Sequence, residues 1–208
     1  LQALLCFAKE KNIDLTVVGP EAPLVEGIVD IFEAEGLKIF GPHQRAAQLE
    51  GSKVFAKEFM HKCNILTAPF RTFTDIQKAR EFLVKSPFPL VVKADGLAGG
   101  KGVMICNNLK EGEQALEQMM TRKIFKEAGT KVVIEDCLEG EEASILAVSD
   151  GEHYILLESS QDHKRIFDDD LGPNTGGMGA YSPAPIINEK MMTKIGERII
   201  EPTFRGMK

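Results

Sequence analysis

A glycine-rich stretch between two short apolar segments decides the fold of this chain. It reads LVVKA over residues 90–94, DGLAGGKG over 95–102 and VMIC over 103–106. The β-branched flanks predict two strands. Between them, Gly99, Gly100 and Gly102 let backbone N–H groups approach phosphate oxygens with no Cβ in the way. Lys93 and Lys101 frame the loop with charges that suit phosphate. We therefore expect a phosphate-covering loop between two strands, with a flexible hairpin as the plain alternative.

Two better-known phosphate-binding patterns do not fit this stretch. A P-loop needs GxxxxGK[ST] and runs into a helix, whereas Gly96 to Gly100 is one residue short and residues 103–106 predict a strand. The dinucleotide fingerprint GxGxxG is absent from the stretch and also from the run at residues 176–179. The sequence therefore favours a strand–loop–strand arrangement.

The residues before the loop alternate between strand and helix patterns. The segments 14–18 and 37–40 predict strands, and apolar residues at helical spacing between them predict a helix that ends at Gly36. This order predicts a βαβ unit with parallel strands. Two prolines and a glycine predict a loop over 19–23, at the carboxyl end of a strand where open α/β sheets bind ligands. Glu21 in that loop is a candidate for holding a sugar diol, or is part of a plain turn.

The rest of the chain mixes helices and strands, so the expected fold class is α/β (α+β). One helix is predicted over 43–62, interrupted at Gly51, and a second over 75–85 with Thr74 as its N-cap. Further predictions are strands at 70–73, 90–94, 103–106 and 132–135, a helix at 109–120, and a hairpin over 143–158 around Asp150-Gly151. Residues 159–188 are rich in Gly, Pro, Asn and Asp and predict a long loop.

Composition excludes several classes of protein. The 208 residues are 43% hydrophobic and 27% charged, which is typical of a globular chain and not of a disordered one. The net charge of −6 argues against binding nucleic acid through general charge. No apolar run is long enough for a membrane helix. The four cysteines and four histidines are scattered, so we expect a reduced cytoplasmic setting and no transition-metal site.

Two polar stretches carry further candidates. A strand ends at Glu135, and a short connection leads to the carboxylate pair Glu141 and Glu142. Backbone groups of such a connection can pair with an adenine edge, and a carboxylate a few residues on can accept from ribose hydroxyls; a solvated acidic turn is the plain alternative. Further on, Lys164 and Arg165 can meet phosphates or a developing negative charge. Three aspartates at 168–170 offer oxygen ligands for Mg²⁺, although adjacent carboxylates in a loop usually face water.

Together these motifs resemble the phosphoribosylamine–glycine ligase (glycinamide ribonucleotide synthetase) family, ATP-grasp enzymes of purine biosynthesis. The matching segments are VVGPEAPL at 17–24, AQLEGSK at 47–53, VKADGLAGGKGV at 92–103, LEGEEAS at 138–144 and SQDHKR at 160–165. The run GPNTGGMGAYSPAP at 172–185 is the most specific. The resemblance spans essentially the whole chain in order.

The resemblance implies an ATP-grasp fold in four parts. Residues 1–42 would be the C-terminal part of an N-terminal βαβ (pre-ATP-grasp) domain, 43–67 a linker helix, 68–135 the small ATP-grasp subdomain and 136–208 an incomplete large subdomain. It also implies a reaction. The carboxylate of glycine takes the γ-phosphoryl group of ATP, with Mg²⁺ or Mn²⁺, and the amine of 5-phosphoribosylamine attacks the glycyl phosphate. The partners would be these small molecules, with no nucleic acid and no membrane.

The same resemblance assigns roles to residues. The catalytic candidates are Lys93, Arg165 and Asn174. The ATP-binding candidates are Lys53, Lys93, Gly99, Gly100, Lys101, Gly102, Glu135, Asp136, Cys137, Leu138, Glu142, Arg165 and Asn174. The substrate-binding candidates are Glu21, His163, Lys164, Thr175, Gly176, Gly177 and Met178.

The chain departs from the family pattern in two ways. The family begins with a glycine-rich strand and loop and ends with a strand carrying a Glu and an Asn that bind Mg²⁺. This chain has neither, so we expect its metal ligands beyond residue 208 and no catalysis by these residues alone. Phe167 stands in a stretch where the family usually carries small glycines, which makes the conformation of that loop a question for the structure.

Two rival interpretations stand beside the ligase. Another ATP-grasp carboxylate–amine ligase, such as an early purine carboxylase or a D-alanine ligase, would share the fold; the runs GPEAPL and GPNTGGMGA argue against it. A non-catalytic ATP-binding module would share the nucleotide site; the presence of Lys93, Lys101 and Arg165 argues against that. The sequence leaves open the oligomeric state and whether the chain is a segment of a multifunctional protein.

Overall fold

The computed structural model describes residues 1–98 and 101–208, without the side chains of Lys126, Glu127, Asp170, Pro173 and Asn174. The chain divides into two compact units. Unit 1 comprises Leu1–Phe59 and Ala68–Cys137, and unit 2 comprises Met60–Thr67 and Leu138–Lys208. Over the described ranges, no helix combines the length and the apolar character needed to cross a membrane.

Unit 1 begins with the predicted βαβ arrangement. Its elements are α1 (Gln2–Glu10), β1 (Thr16–Val17), α2 (Glu21–Val25), α3 (Ile28–Ala34) and β2 (Ile39–Phe40). The parallel pairing is confirmed, since Thr16 pairs with Ile39. A small core forms where α1 packs on α3, with Leu5, Ala8, Ile28, Val29 and Phe32 buried.

The predicted loop at 19–23 is wrong, because α2 begins at Glu21. Pro23 lies in the first turn of α2, where a helix has no use for the missing N–H, so the proline does not prevent helix formation. The helix predicted to follow is two helices, although its predicted end is confirmed, since α3 stops at Ala34 and Gly36 has the left-handed φ of 73° expected of a C′ glycine. Gly27 separates α2 from α3 with a left-handed φ of 88°, a conformation that glycine adopts without a Cβ penalty.

The single helix predicted over 43–62 is two helices, α4 (Gln44–Gly51) and α5 (Lys53–Lys62). Ser52 between them is extended, with φ −140° and ψ 116°, and its Oγ accepts from the N–H of Phe55, 3.0 Å away, as an N-cap does. A Cβ on Gly51 would lie 2.9 Å from a methyl group of Val25. The glycine therefore allows α4 to pack closely on α2.

A four-stranded antiparallel sheet forms the larger part of unit 1. Its strands are β3 (Phe70–Phe73), β4 (Leu90–Ala94), β5 (Val103–Cys106) and β6 (Val132–Asp136), in the order β3-β6-β4-β5. Two helices accompany it, α6 (Ile76–Lys85) and α7 (Leu109–Leu116), the latter continued by a π-helical turn at Glu117–Thr121. These elements confirm the predicted ones. The predicted N-cap Thr74 is wrong by one residue, because the carboxylate of Asp75 accepts from the N–H groups of Gln77 and Lys78.

The two faces of this sheet differ in character. One face packs on α6 and α7, and its buried side chains are Leu90, Val92, Ala94, Cys106, Val132 and Ile134 from the sheet and Ala79, Leu83, Ala115, Leu116 and Met119 from the helical side. Burying a large aliphatic side chain stabilises a fold by about 1.5–3 kcal/mol, so this face anchors the sheet. Because side chains alternate along a strand, Lys93 and Glu135 lie on the other face.

Unit 2 opens with the predicted hairpin, now defined as β7 (Ala147–Ser149) and β8 (Tyr154–Leu156). The carboxylate of Asp150 accepts from the N–H groups of Glu152 and His153 in the turn, and these hydrogen bonds lower the pKa of Asp150 to about 2. The C-terminal elements are α8 (Glu189–Ile195), a π-helical turn (Gly196–Ile200) and α9 (Glu201–Met207). The rings of Tyr154 and Phe204 stack at 5.2 Å and fasten α9 to the hairpin.

The predicted long loop over 159–188 is wrong, because it contains two antiparallel strand pairs. They are β9 (Gln161–Asp162) with β12 (Ala180–Tyr181), and β10 (Arg165–Phe167) with β11 (Leu171–Asn174). Polar, glycine-rich strands give no hydrophobic alternation that predicts a register. Across β9 and β12, the hydroxyl of Tyr181 donates to Oε1 of Gln161, 2.6 Å away. Ser159, buried at the start of this segment, accepts through its Oγ from the N–H of Ala184, 3.1 Å away.

Candidate functional site

Three charged side chains meet on the polar face of the four-stranded sheet. Lys93 pairs with Val133 across β4 and β6, so Glu135 is its diagonal neighbour on the same face. Glu135 is 6% exposed, and its Oε1 contacts the Nζ of Lys93. Its Oε2 contacts the Nζ of Lys57, which is 8% exposed and lies 5.6 Å from the centre of the Phe70 ring. One carboxylate thus lies between two ammonium groups, which leaves a net positive charge.

Lys53 adds a further ammonium group next to this cluster. Its Nζ donates to the carbonyl of Gly96, 2.8 Å away, at the start of the glycine-rich loop. Burial lowers the pKa of Lys53; Asp95 and Glu50 oppose this shift, and the charge of Lys93 adds to it. The charges of the two lysines therefore act on each other, and an anion bound between the two ammonium groups would be favoured by both.

The start of the glycine-rich loop is tied to α5 by Asp95. The carboxylate of Asp95 accepts from the hydroxyl of Ser52, 2.9 Å away, and from the N–H of Val54, 3.1 Å away. The N–H of Asp95 donates to the carbonyl of Lys131. Sequence reasoning missed Asp95, because its partners lie more than 30 residues away and nothing in the local pattern marks it.

The glycine-rich loop closes between two strands, as predicted. The N–H of Ala94 donates to the carbonyl of Gly102, 2.8 Å away, and the N–H of Lys101 donates to the carbonyl of Ala98. A Cβ on Gly102 would lie 2.6 Å from the Cβ of Ala98, so only glycine fits there. The candidates Gly99 and Gly100 lie outside the described residues. The side chain of Lys101 is exposed, and its contact with phosphate stays a prediction.

Part of the predicted adenine hinge is already engaged in the sheet, because Glu135 and Asp136 belong to β6, where Glu135 pairs with β3 and β4. The N–H of Asp136 donates to the carbonyl of Pro69, 3.1 Å away. Leu138 is 72% exposed, and the chain passes from unit 1 to unit 2 between Cys137 and Leu138. The nucleotide contacts of residues 135–138 stay predictions. The buried carboxylate of Glu135, by contrast, has a role that the sequence did not indicate.

In unit 2 the structure joins two candidates that the sequence treated separately. The Nζ of Lys164 donates to Oε1 of Glu142, 2.6 Å away, and lies 3.7 Å from Oδ1 of Asp162. The hydrogen bond to Glu142 raises the pKa of Lys164, and the charges of Glu142 and Asp162 act in the same direction. The carboxylate of Glu142, which is predicted to hold the ribose, is therefore paired with Lys164 in the structure.

The predicted substrate residues of unit 2 lie together around β9 and β12. The N–H of Met178 donates to the carbonyl of His163, 3.0 Å away. The N–H of Thr175 donates to the carbonyl of Lys164, 2.5 Å away. The hydroxyl of Thr175 accepts from the N–H of Gly177, 3.1 Å away. These bonds gather one polar surface formed by His163, Lys164, Thr175, Gly176, Gly177 and Met178. Their contacts with substrate stay predictions.

Arg165 and Asn174 face each other as paired residues of β10 and β11. The side chain of Asn174 lies outside the description, and the side chain of Arg165 is partly buried. Phe167 is accommodated in this hairpin by Gly172, where a Cβ would lie 2.5 Å from the Phe167 ring and φ is 86°. The bulky residue that the sequence flagged therefore packs over a glycine and leaves the hairpin intact.

Two other candidates stand apart from these clusters. Glu21 is an exposed residue in the first turn of α2, and its contact with a sugar stays a prediction. For metals, the described side chains contain no group of three or more His, Cys, Asp or Glu residues placed to hold an ion. Asp168 and Asp169, from the predicted oxygen-ligand stretch, are both exposed.

Comparison with known proteins shows the family of this chain. Residues 1–50 match the family model for the phosphoribosylglycinamide synthetase N domain, and residues 51–208 match that for its ATP-grasp (A) domain. The phosphoribosylamine–glycine ligase of Escherichia coli strain K12 is 53% identical over 207 residues, covering 100% of this chain and 48% of the relative. The chain thus spans about half the length of the curated relatives it matches.

Solved structures show the same relationship. The phosphoribosylamine–glycine ligase of Thermotoga maritima is 40% identical with a TM-score of 0.75, over 81% of this chain and 43% of that one. A biotin carboxylase–β-γ-ATP complex from Campylobacter jejuni has a TM-score of 0.81 at 18% identity, over 99% of this chain and 46% of that one, which shows a shared fold alone. The two family models together cover all 208 residues, and the chain belongs to the phosphoribosylglycinamide synthetase family.

Proposed function

We propose that the gene product carrying this chain is a phosphoribosylamine–glycine ligase. It uses ATP to join glycine to 5-phosphoribosylamine, and the products are glycinamide ribonucleotide, ADP and phosphate. The observation that carries the proposal is the convergence of Lys53 and Lys93 beside the glycine-rich loop, in a chain that matches both family models. The rival ATP-grasp ligases share the fold, but the family match extends through the substrate segments of unit 2.

The residues of unit 1 fit a nucleoside triphosphate. Phosphoryl transfer depends on positioning and charge neutralisation more than on covalent chemistry by the protein. Lys53 and Lys93 supply two ammonium groups from different elements, and their mutual repulsion favours an anion between them. Backbone N–H groups of the glycine-rich loop would cover the phosphates and exclude water.

Mg²⁺, when bound with the nucleotide, would supply neutralisation of the phosphate charge. Among the described residues, no group of three or more His, Cys, Asp or Glu side chains is placed to hold an ion. We propose that the metal binds mainly through the nucleotide and through ligands other than the described residues.

The polar surface of unit 2 would receive the two substrates. Transfer of the γ-phosphoryl group to the glycine carboxylate breaks the P–O bond to ADP and forms glycyl phosphate. The amine of phosphoribosylamine then attacks the carbonyl carbon, forms the amide and releases phosphate. Lys164 and Arg165 would stabilise the negative charge on the transferring group, and backbone groups near Thr175 would orient the acyl phosphate.

The remaining proposals concern the setting. The partners are small molecules, and we propose a cytoplasmic location. The four cysteines, all free, are consistent with a reducing compartment.

The test uses the gene product that carries this chain. ADP release from Mg-ATP would be followed with glycine, with freshly generated phosphoribosylamine, and with both. We expect release that requires both substrates together, with glycinamide ribonucleotide formed in equal amount. Release with another acid–amine pair in place of these two would identify a different ligase. ATP binding without any release would identify a nucleotide-binding module.

A further inference from the structure

We infer that Lys57 is a positioning residue, which keeps Lys93 available for phosphate by sharing the carboxylate of Glu135. The inference rests on the proposed ATP-binding function of unit 1. It adds a residue that does not contact the nucleotide, and it gives the Glu135 side chain a role distinct from backbone contacts at the hinge.

The position of Lys57 follows from the helix repeat. Lys53 and Lys57 are four residues apart on α5, so their side chains leave the same side of the helix. Lys53 reaches the carbonyl of Gly96, and Lys57 reaches Glu135. The side chain of Lys57 is 11% exposed and that of Lys93 is 26% exposed. Lys93 is therefore the more accessible ammonium group of the pair, and Lys57 is the one that stays inside.

The division of one carboxylate between two lysines has an energetic consequence. Removing one partner of a buried ion pair is costly, because the remaining charge stays buried without compensation. If Lys93 were the sole partner of Glu135, turning Lys93 toward a phosphate would leave the carboxylate in that state. With Lys57 on the second oxygen, Glu135 keeps an ion pair while Lys93 binds phosphate. Lys57 thus lowers the cost of ATP binding without contacting ATP.

The first measurement is the ATP affinity of the gene product by calorimetry, near physiological salt. Lys57→Met should weaken ATP binding about tenfold, within the range for residues coupled in one charge network. Lys57→Arg keeps the charge and should stay within about threefold of wild type on the same scale. Lys62→Met removes an exposed lysine from the same helix and is the matched control for lost positive charge; it should change the affinity less than twofold.

A double-mutant cycle with Glu135→Gln separates positioning from a general structural role. In the Glu135→Gln background there is no carboxylate to share, so Lys57→Met should change ATP affinity less than about twofold. A tenfold loss in both backgrounds would overturn the inference, because Lys57 would then act independently of Glu135. The double variant has the wild-type net charge and lacks the buried ion pair. If Lys57→Met alone does not fold, the ATP affinity of the double variant is compared with that of Glu135→Gln, and a tenfold difference between these two would overturn the inference.

Lys93→Met distinguishes failure of this inference from failure of the proposed function. If wild type binds ATP and Lys93→Met weakens binding roughly 100-fold while Lys57→Met matches wild type, the inference about Lys57 is wrong and the ATP site stands. If wild type binds no ATP, both are wrong. Loss with Lys57→Met, recovery with Lys57→Arg and coupling to Glu135 together establish the positioning role.

Discussion

The two charge clusters of this chain have similar composition and opposite surroundings. In unit 1, Glu135 is 6% exposed and contacts Lys57 and Lys93. In unit 2, Glu142 has a side chain that is 74% exposed and bonds Lys164, whose side chain is 38% exposed. The first cluster is built on regular strands and a helix, whereas Glu142 and Lys164 lie in irregular segments, Lys164 between β9 and β10.

This difference in burial affects how firmly the side chains of each cluster are held in place. Charges in a buried network interact strongly and are held in one geometry, so the unit 1 cluster is prepared for a highly charged ligand. Exposed ion pairs contribute little and exchange partners easily. Opening the exposed Lys164–Glu142 pair would therefore cost little stability, and we propose that substrate or nucleotide replaces one of its partners.

The largest expected effect is on the free energy of unfolding when the carboxylate of each cluster is removed. Glu135→Ala leaves the buried Lys57 without the carboxylate that it contacts, so we expect a loss of about 3–5 kcal/mol in the free energy of unfolding. Glu142→Ala should cost less than about 1 kcal/mol, because its ion pair is exposed. Urea unfolding of both variants measures the difference. Equal losses would mean that burial does not distinguish the two clusters.

Lys93→Met should have the next largest effect, on ligand binding. The variant removes one of two ammonium groups that face the proposed phosphate position, so we expect ATP affinity to fall roughly 100-fold, about 2.7 kcal/mol. Lys164→Met should change ATP affinity by less than about fivefold, since its ammonium is already paired and exposed. Calorimetric titration with ATP tests both. A larger loss at Lys164 would move the phosphate site to unit 2.

A partly buried and an exposed aspartate at helix starts can be compared in the same way, with smaller expected losses in the free energy of unfolding. Asp95→Ala removes the bonds to Ser52 and to the N–H of Val54, and we expect a loss of about 2 kcal/mol in the free energy of unfolding. Asp75→Ala removes the exposed cap of α6 and should cost about 1 kcal/mol. Chemical unfolding of each variant checks the order. If Asp75→Ala lowered the free energy of unfolding more than Asp95→Ala, the hydrogen bonds between Asp95 and the start of α5 would be unimportant to stability.

The smallest expected effect is the pH dependence of Lys164. Its folded-state pKa is raised by the hydrogen bond to Glu142, so the ion pair stabilises the fold below the ordinary lysine pKa of about 10.4 and loses that effect as pH rises through the raised pKa. At neutral pH, the free energy of unfolding of wild type should exceed that of Lys164→Met by less than about 1 kcal/mol. Unfolding measured from pH 8 upward should show the difference disappear above about pH 10.4. A difference that persists in strong alkali would contradict the ion-pair origin.

Sequence reasoning succeeded where local patterns decide structure. The strands of the four-stranded sheet are short β-branched runs, and the structure places them at the predicted residues, with β6 one residue longer. Lys93 was identified because it borders a glycine-rich loop. Lys57 was not, because one lysine in a polar helix carries no mark of burial. Its role depends on the strand register that places Glu135 opposite α5, which only the folded chain shows.

The errors also have physical reasons. The strands between Gln161 and Tyr181 lack hydrophobic alternation, so composition alone predicts a loop. In addition, β9 and β12 pair residues that lie far apart in the sequence, such as Asp162 with Ala180. Glu21 begins a helix despite two nearby prolines, because the first helical turn tolerates a missing N–H. Local composition signals thus failed where pairing is non-local or where a helix begins.

The measurement that tests the central claim most directly is a structure of the gene product with ADP and Mg²⁺. The account predicts that the diphosphate contacts the Nζ atoms of Lys53 and Lys93, while Lys57 stays on Glu135. A nucleotide bound elsewhere, with Lys93 still on Glu135 and Lys53 still on the Gly96 carbonyl, would contradict it.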